Sequence, residues 1–340
     1  MSQGPDPAAE GLPARVIAIG ASAGGIDALQ RLVAVLPADV PAAICVVLHI
    51  PATGKSLLAQ ILARSGPVPA EQAEDGTPLA PGRIYVAPAD NHLLVRGDRL
   101  ELDAGPKENG VRPAVDPLFR SLAASWGRRG IAVVLSGALD DGSSGAVTVA
   151  DAGGTVVVQD PADALVPSMP ENALDAAPDA LVAPADKLAG LLTRLMSEPA
   201  REEAVIVPDA GGFQTDLTRG RPDGPASGFT CPECSGALWE LREGDLVRYQ
   251  CRVGHTYSEE AFLDHQATAV EAALWAALEV LEERGELLRR MADQVPARYP
   301  RSVERFRAGA QEARERSELI RSALALRRAP ADEVEEASTG

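Results

Sequence analysis

Basic side chains, cysteines and long apolar runs are all scarce in this chain, and each scarcity narrows what it can be. The 340 residues hold 32 Lys and Arg against 49 Asp and Glu, a formal net charge of −17. Nucleic acid and anionic membrane surfaces are gripped by clustered cations facing phosphate, so neither is an expected partner. No run approaches the ~18 apolar residues of a spanning helix, and the first residues, MSQGPDPAAEGLPAR, lack a basic region followed by an apolar core. The expectation is a cytoplasmic protein with no membrane insertion. The 4 cysteines are too few for a disulfide framework, and Cys231, Cys234 and Cys251 fall within 21 residues, which suits a local metal site. Cys45, inside AAICVVL, reads as a core residue.

What is abundant is apolar residue in short runs. At 46% hydrophobic, the chain can bury at least one full core. From Arg15, β-branched runs alternate with amphipathic stretches: RVIAIG, IDALQRLVAVL, AAICVVLH, KSLLAQILARS, RIYVAP. Such alternation predicts an α/β domain with a parallel, doubly wound, Rossmann-like sheet covered by helices on both faces. HLLVRGDRLELD predicts a hairpin turning at Gly97-Asp98. A helix near Asp116–Trp126, the strand IAVVLSG, a helix from about Gly142, the strand TVVVQD and a last strand-helix unit complete the domain. The expected organisation is a flexible start at 1–13, the α/β domain at 14–197, a linker at 198–228, a cysteine module at 229–258, a helical hairpin at 259–328 and a disordered tail at 329–340.

VIAIGASAGGIDAL places Gly20-Ala21-Ser22-Ala23-Gly24 between a buried strand and an amphipathic helix. That is the G-x-S-x-G pattern in the strand-turn-helix setting that gives it meaning, with the Ser22 hydroxyl projecting where helix N–H groups favour an anion. A phosphate- or dinucleotide-binding loop is the rival. It predicts an acidic residue closing the next strand, yet that strand closes on Leu48-His49, and neither a G-K-[ST] loop nor a Tyr-x-x-x-Lys pair occurs. His49 therefore reads as general base and Ser22 as nucleophile, with adjacent strand ends ~4.8 Å apart. His92 is the rival base. In IAVVLSGALDDGSSG, one of Asp140 and Asp141 can cap the next helix while the other holds the imidazole Nδ1–H.

IGASAGG, LHIP, YVAPADNH, RPAVDPLF and LSGALDDGSSG, in that order over roughly residues 14–195, resemble the catalytic domain of the chemotaxis protein-glutamate methylesterases. The resemblance implies Ser22, His49 and Asp141 as a catalytic triad, and hydrolysis of glutamyl methyl esters on methylated chemoreceptors with release of methanol. By the same analogy the amides of Ala23 and Ala138 hold the oxyanion, and His92 and Arg112 contact substrate. The chain departs from the family at Ala23, where Thr is usual, and at Ala138-Leu139, where Met-Gly is usual. No receiver domain is expected ahead of the catalytic segment, so control is expected to come from elsewhere or to be lacking.

Cys231-Pro-Glu-Cys234, 16 residues, then Cys251-Arg-Val-Gly-His255 matches a closed zinc-ribbon-like site of three thiolates and one imidazole around a hairpin at Gly244. Structural Zn²⁺ would supply much of so small a module's folding energy. The helices beyond it carry an a/d-like seam (Val270, Leu274, Ala277, Leu281, Leu288; Val303, Phe306, Ala310, Ala313, Leu324) that suits either a hairpin's inner face or association with a partner helix or second copy. The leading expectation is a serine esterase. The alternatives are a non-catalytic adaptor in a signalling complex and an esterase for another ester.

Overall fold

The computed structural model describes residues 11–51, 56–197, 221–243, 246–296 and 298–326. Most of the expected leader, linker and tail, and Gly244, lie outside these residues. The catalytic half opens with β1 (Arg15–Ala21), α1 (Gly25–Ala34), β2 (Ala42–Leu48) and α2 (Leu58–Ser65). Next come β3 (Ala70–Gln72), β4 (Arg83–Val86) and the hairpin β5 (His92–Arg96) and β6 (Arg99–Asp103). It continues through α3 (Val115–Trp126), β7 (Gly130–Val134), α4 (Ser143–Asp151), β8 (Thr155–Gln159), α5 (Ser168–Ala176), β9 (Leu181–Ala183) and α6 (Ala185–Ser197).

Seven of these strands form one sheet in the order β3-β4-β2-β1-β7-β8-β9, parallel throughout. β1 and β2 are buried at every residue, as strands covered on both faces must be. Along β1, Ile17 and Ile19 join one core with Leu29 and Leu32 of α1, Leu62 of α2 and Leu188 and Leu192 of α6. Val16 and Ala18 join the opposite core with Leu118 and Phe119 of α3, Val149 of α4 and Met169 of α5. The two-residue period of the strand thus assigns three helices to each face. Cys45 lies in the second core, where burial pushes its thiol up to about 12.

The cysteine module is a four-stranded antiparallel sheet of β10 (Ala226–Thr230), β11 (Ala237–Glu243), β12 (Leu246–Cys251) and β13 (Thr256–Ser258). It belongs to the same compact unit as the seven-stranded sheet, Met1–Phe262, while Leu263–Gly340 forms a second unit. In that second unit, α7 (Glu259–Gln294) from Leu263 onward and α8 (Pro300–Leu326) bury Leu278, Gly285 and Ala292 on one helix and Ala310, Ala313 and Leu324 on the other. A Cβ on Gly285 would lie 3.7 Å from Ala313, and Arg321 pairs with Glu282. Val270 and Ala277, expected in this seam, are exposed, because the seven-residue spacing runs through 278, 285 and 292. Among the described residues no helix is long and apolar enough to cross a membrane.

Candidate active site

The chain leaves β1 in one direction for β2, β4 and β3, then resumes on the other side with β7. The carboxyl ends of β1 and β7 therefore flank a topological switch point, where open parallel sheets form their crevice. Ser22 is the first residue past β1. Its N–H donates to Ser136 O (3.0 Å) and its carbonyl accepts from Gly25 N (2.9 Å), closing a tight turn into α1. Gly24 makes that turn at φ 76°, where a Cβ would also strike Ser136 Oγ at 2.6 Å. Across the crevice, a Cβ on Gly137 would sit 2.0 Å from Met169 Sδ and 2.9 Å from Ser22 Cβ, so only glycine permits this approach. Ser22 is half-buried, and its hydroxyl makes no hydrogen bond among the described residues, as is common in substrate-free sites.

His49 is the first residue past β2, tied by its N–H to Ala21 O (3.1 Å). Its Nε2 lies 2.7 Å from Asp141 Oδ2, with the two side chains 14% and 3% exposed. The expected contact through Nδ1 is thereby corrected. β2 and β7 stand on opposite sides of β1, roughly 10 Å apart, and Nε2 is the ring nitrogen farther from the backbone. With Nε2–H donating to Asp141, Nδ1 keeps its lone pair.

Asp141 accepts hydrogen bonds from His49, Val115 N (2.7 Å), Asp116 N (3.2 Å) and Asn109 Nδ2 (3.2 Å). Burial alone would push its carboxyl up, but the hydrogen bond and electrostatic attraction from His49 and the two backbone N–H groups outweigh burial and hold it well below the usual carboxylate range. Asp140 does not cap α4, as one of the pair was expected to do. Gly142 N (3.1 Å) and Gly145 N (2.7 Å) both donate to Asp116 Oδ1 instead. Asp140 accepts from Ser258 Oγ at 2.7 Å, and its own burial raises it to about 6.

His92 and Arg112, for which the resemblance implies substrate contact, are both engaged by the protein itself. His92 is 3% exposed, with Nε2 on Pro106 O (3.0 Å) and Nδ1 accepting from Ala114 N (3.2 Å), so neither nitrogen is left for chemistry. Arg112 grips Asp90 Oδ1 (2.6 Å), Ala104 O (2.6 Å) and Gly105 O. Both brace the segment that feeds backbone N–H groups to Asp141. Ala23 and Ala138 are exposed beside Ser22, and their N–H groups make no hydrogen bond among the described residues.

In the module, Cys231, Cys234, Cys251 and His255 bring one ligand atom each within 4.8 Å of one another. Cys231 Sγ and Cys251 Sγ each lie 3.6 Å from His255 Nδ1, and Cys234 Sγ lies 3.6 Å from Cys251 Sγ. Ligands ~2.0–2.3 Å from a central ion at tetrahedral angles would be about 3.5–3.8 Å apart, so the four residues fit a metal ion. The three cysteines form no disulfide.

Three participants are given no role by the sequence: Asn109, Arg248 and Asp116, which lies within RPAVDPLF. Arg248, on β12 and 2% exposed, donates to Glu108 Oε2 (2.9 Å) and Ser144 Oγ (3.0 Å) and lies 3.3 Å from Asp116 Oδ2. Glu108 also pairs with Arg120 of α3. The two guanidinium groups outweigh burial and keep Glu108 below its usual range, whereas burial and the Asp141 charge leave Asp116 raised despite Arg248.

Residues 17–192 match the family model described as CheB methylesterase. A "Protein-glutamate methylesterase/protein-glutamine glutaminase 3" of Anaeromyxobacter dehalogenans is 46% identical over 187 residues, 53% of this chain and 54% of that protein. A counterpart numbered 2 in Caulobacter vibrioides is 39% identical, covering 52% of each. The chain thus spans about half the length of the curated relatives it matches. The crystal structure of the Thermotoga maritima CheB methylesterase catalytic domain is 34% identical with a TM-score of 0.52, covering 54% of this chain and 100% of that one. With a family model matching more than half its residues and a solved catalytic domain matched over its whole length, the chain belongs to the CheB methylesterase family.

Proposed function

We propose that this chain is a serine esterase that hydrolyses glutamyl methyl esters on chemoreceptor-type signalling proteins. The observation that carries the reading is the convergence of Ser22, His49 and Asp141 at the carboxyl edge of one sheet, with His49 and Asp141 2.7 Å apart. Ser22 Oγ attacks the ester carbonyl as His49 Nδ1 takes its proton. Asp141, kept ionised by its four donors, holds the ring and stabilises the imidazolium. The N–H groups of Ala23 and Ala138 receive the oxyanion. The imidazolium gives the proton to the departing methoxide oxygen, releasing methanol, and water cleaves the acyl-enzyme by the same steps. A glutamine side chain attacked in this way would release ammonia, in keeping with the double name of the relatives.

In the same reading the ion of the module is Zn²⁺, held by Cys231, Cys234, Cys251 and His255 in a closed structural role. When bound, it would neutralise the Cys251 thiolate, which burial and the neighbouring Cys231 otherwise push toward the protonated form.

The test is methanol release from a methylated chemoreceptor fragment. Ser22→Ala is expected to lower the rate by at least about 10³-fold at equal folded concentration. Release that persists in that variant would overturn the assignment of the nucleophile, and none from the parent chain would overturn the substrate.

A further inference from the structure

Asp141 is set in place by a segment, residues 106–116, that supplies three of its four donors: Val115 N, Asp116 N and Asn109 Nδ2. One side of this segment is braced by His92, Arg112 and Arg120. The other side is braced by the cysteine module. Thr256 O accepts from Asn109 N (2.7 Å) and Thr256 N donates to Lys107 O (3.3 Å). Ser258 N donates to Asn109 Oδ1 (2.9 Å), so one amide side chain joins β13 directly to the Asp141 carboxylate. Asn109 makes this bridge from a left-handed backbone at φ 51°. Ser258 Oγ reaches Asp140 (2.7 Å), 118 residues away in the chain.

Arg248 adds the charge. Around Asp141 lie the buried carboxylates of Glu108 and Asp116, faced by Arg120 and Arg248. Without Arg248, Glu108 would keep one guanidinium and Asp116 would face Asp141 with no cation 3.3 Å away. Two carboxylates this close in a dry setting resist joint ionisation, so the backbone between them would shift or one would take a proton. Either response disturbs the group that orients His49.

We infer that the cysteine module is a working part of the catalytic site in this chain, with Arg248 and Ser258 as positioning residues for Asp141. The inference rests on the Ser22–His49–Asp141 reading, and it assigns the module a role in setting reactivity that a tethered recruitment domain would not have.

The full-length chain and its Arg248→Met, Arg248→Lys and Ser258→Ala variants would be compared in three ways. These are the rate of Ser22 phosphonylation by a fluorophosphonate, kcat and KM for methanol release, and the low-field proton resonance of the His49–Asp141 hydrogen bond. A misplaced catalytic group costs on the order of 10²-fold. Arg248→Met is therefore expected to label about 10–100-fold more slowly with KM moved less than about 3-fold and the low-field proton shifted or lost, and Arg248→Lys to recover most of the rate. A folded Arg248→Met chain that labels within about 2-fold of the parent, with that proton unmoved, overturns the inference. Should Arg248→Met not fold, Ser258→Ala decides: a fall of about 3–10-fold supports the inference and no change overturns it. Labelling without methanol release would sink the methyl-ester substrate alone, the labelling ratios still deciding the module's role. No labelling of the parent chain would sink both.

Discussion

The seven-stranded sheet and the cysteine module sit in one compact unit, yet they are held together by different physics. The sheet is lined on both faces by aliphatic side chains that reach zero exposure, such as Ile17, Val46 and Val133 on one side and Val16, Val47 and Val134 on the other. The module's own core contains Leu238, Tyr249, Tyr257 and Phe262, and two of its other members, Cys231 and Cys251, are candidate metal ligands. A core that small cannot offset the backbone entropy of a four-stranded sheet. The lesson is that two parts meeting at Asp141 can draw on separate sources of stability, one hydrophobic and, under the proposed zinc reading, one coordinative.

Chelation should separate them most sharply. Structural zinc contributes about 10–16 kcal/mol in small peptides, so stripping the ion is expected to abolish amide-exchange protection over residues 226–258, weaken it over 106–116 and leave β1, β2 and β7 protected. Uniform loss of protection across both sheets would erase the distinction. Truncating the large core is the converse experiment. Ile17→Ala should cost about 2–5 kcal/mol in denaturant unfolding while the folded chain keeps its full complement of bound zinc, measured by a colorimetric chelator.

The smallest effect concerns the seam between the two parts. Asp140 is raised to about 6 from an ordinary 3.8, so the folded chain holds its proton more tightly than the unfolded one. The group costs nothing below pH 3.8, stability falls as pH rises from there, and the loss is complete above about 6. Asp140→Asn is expected to match the parent near pH 4 and to exceed it by about 1–2 kcal/mol at pH 7, residual solvent access keeping the gain modest. An equal difference at both pH values would show that Asp140 does not titrate in the seam.

Local patterns made the sheet legible. RVIAIG, AAICVVL and IAVVLSG are short, β-branched and unbroken, the mark of strands buried on both faces, and GASAG and LDDGSSG sit where such strands end. The cysteine and histidine spacing was equally plain. The elements that escaped notice have weak local signals. β3 (AEQ) is three residues long and partly exposed, α5 carries Pro170 in its first turn, and β10 (ASGFT) is largely exposed and includes a glycine. Arg248 escaped for another reason. It is one charged residue in an alternating strand, and nothing near it in sequence announces that its partner Glu108 lies 140 residues away. Burial of a charge is a property of the pair, and the pair exists only in the fold.

The guanidinium of Arg248 also bears on how this chain can be taken apart. A fragment ending near residue 197 would look complete by its sequence motifs, with strands, helices and Ser22, His49 and Asp141 all present. It would nonetheless keep Glu108, Asp116 and Asn109 facing a surface from which their partners had been cut away. Transplanting the esterase half into another protein therefore calls for one of two repairs: carrying the strand of Arg248 along with it, or neutralising Glu108 and Asp116 so that the new surface can be wetted without charge.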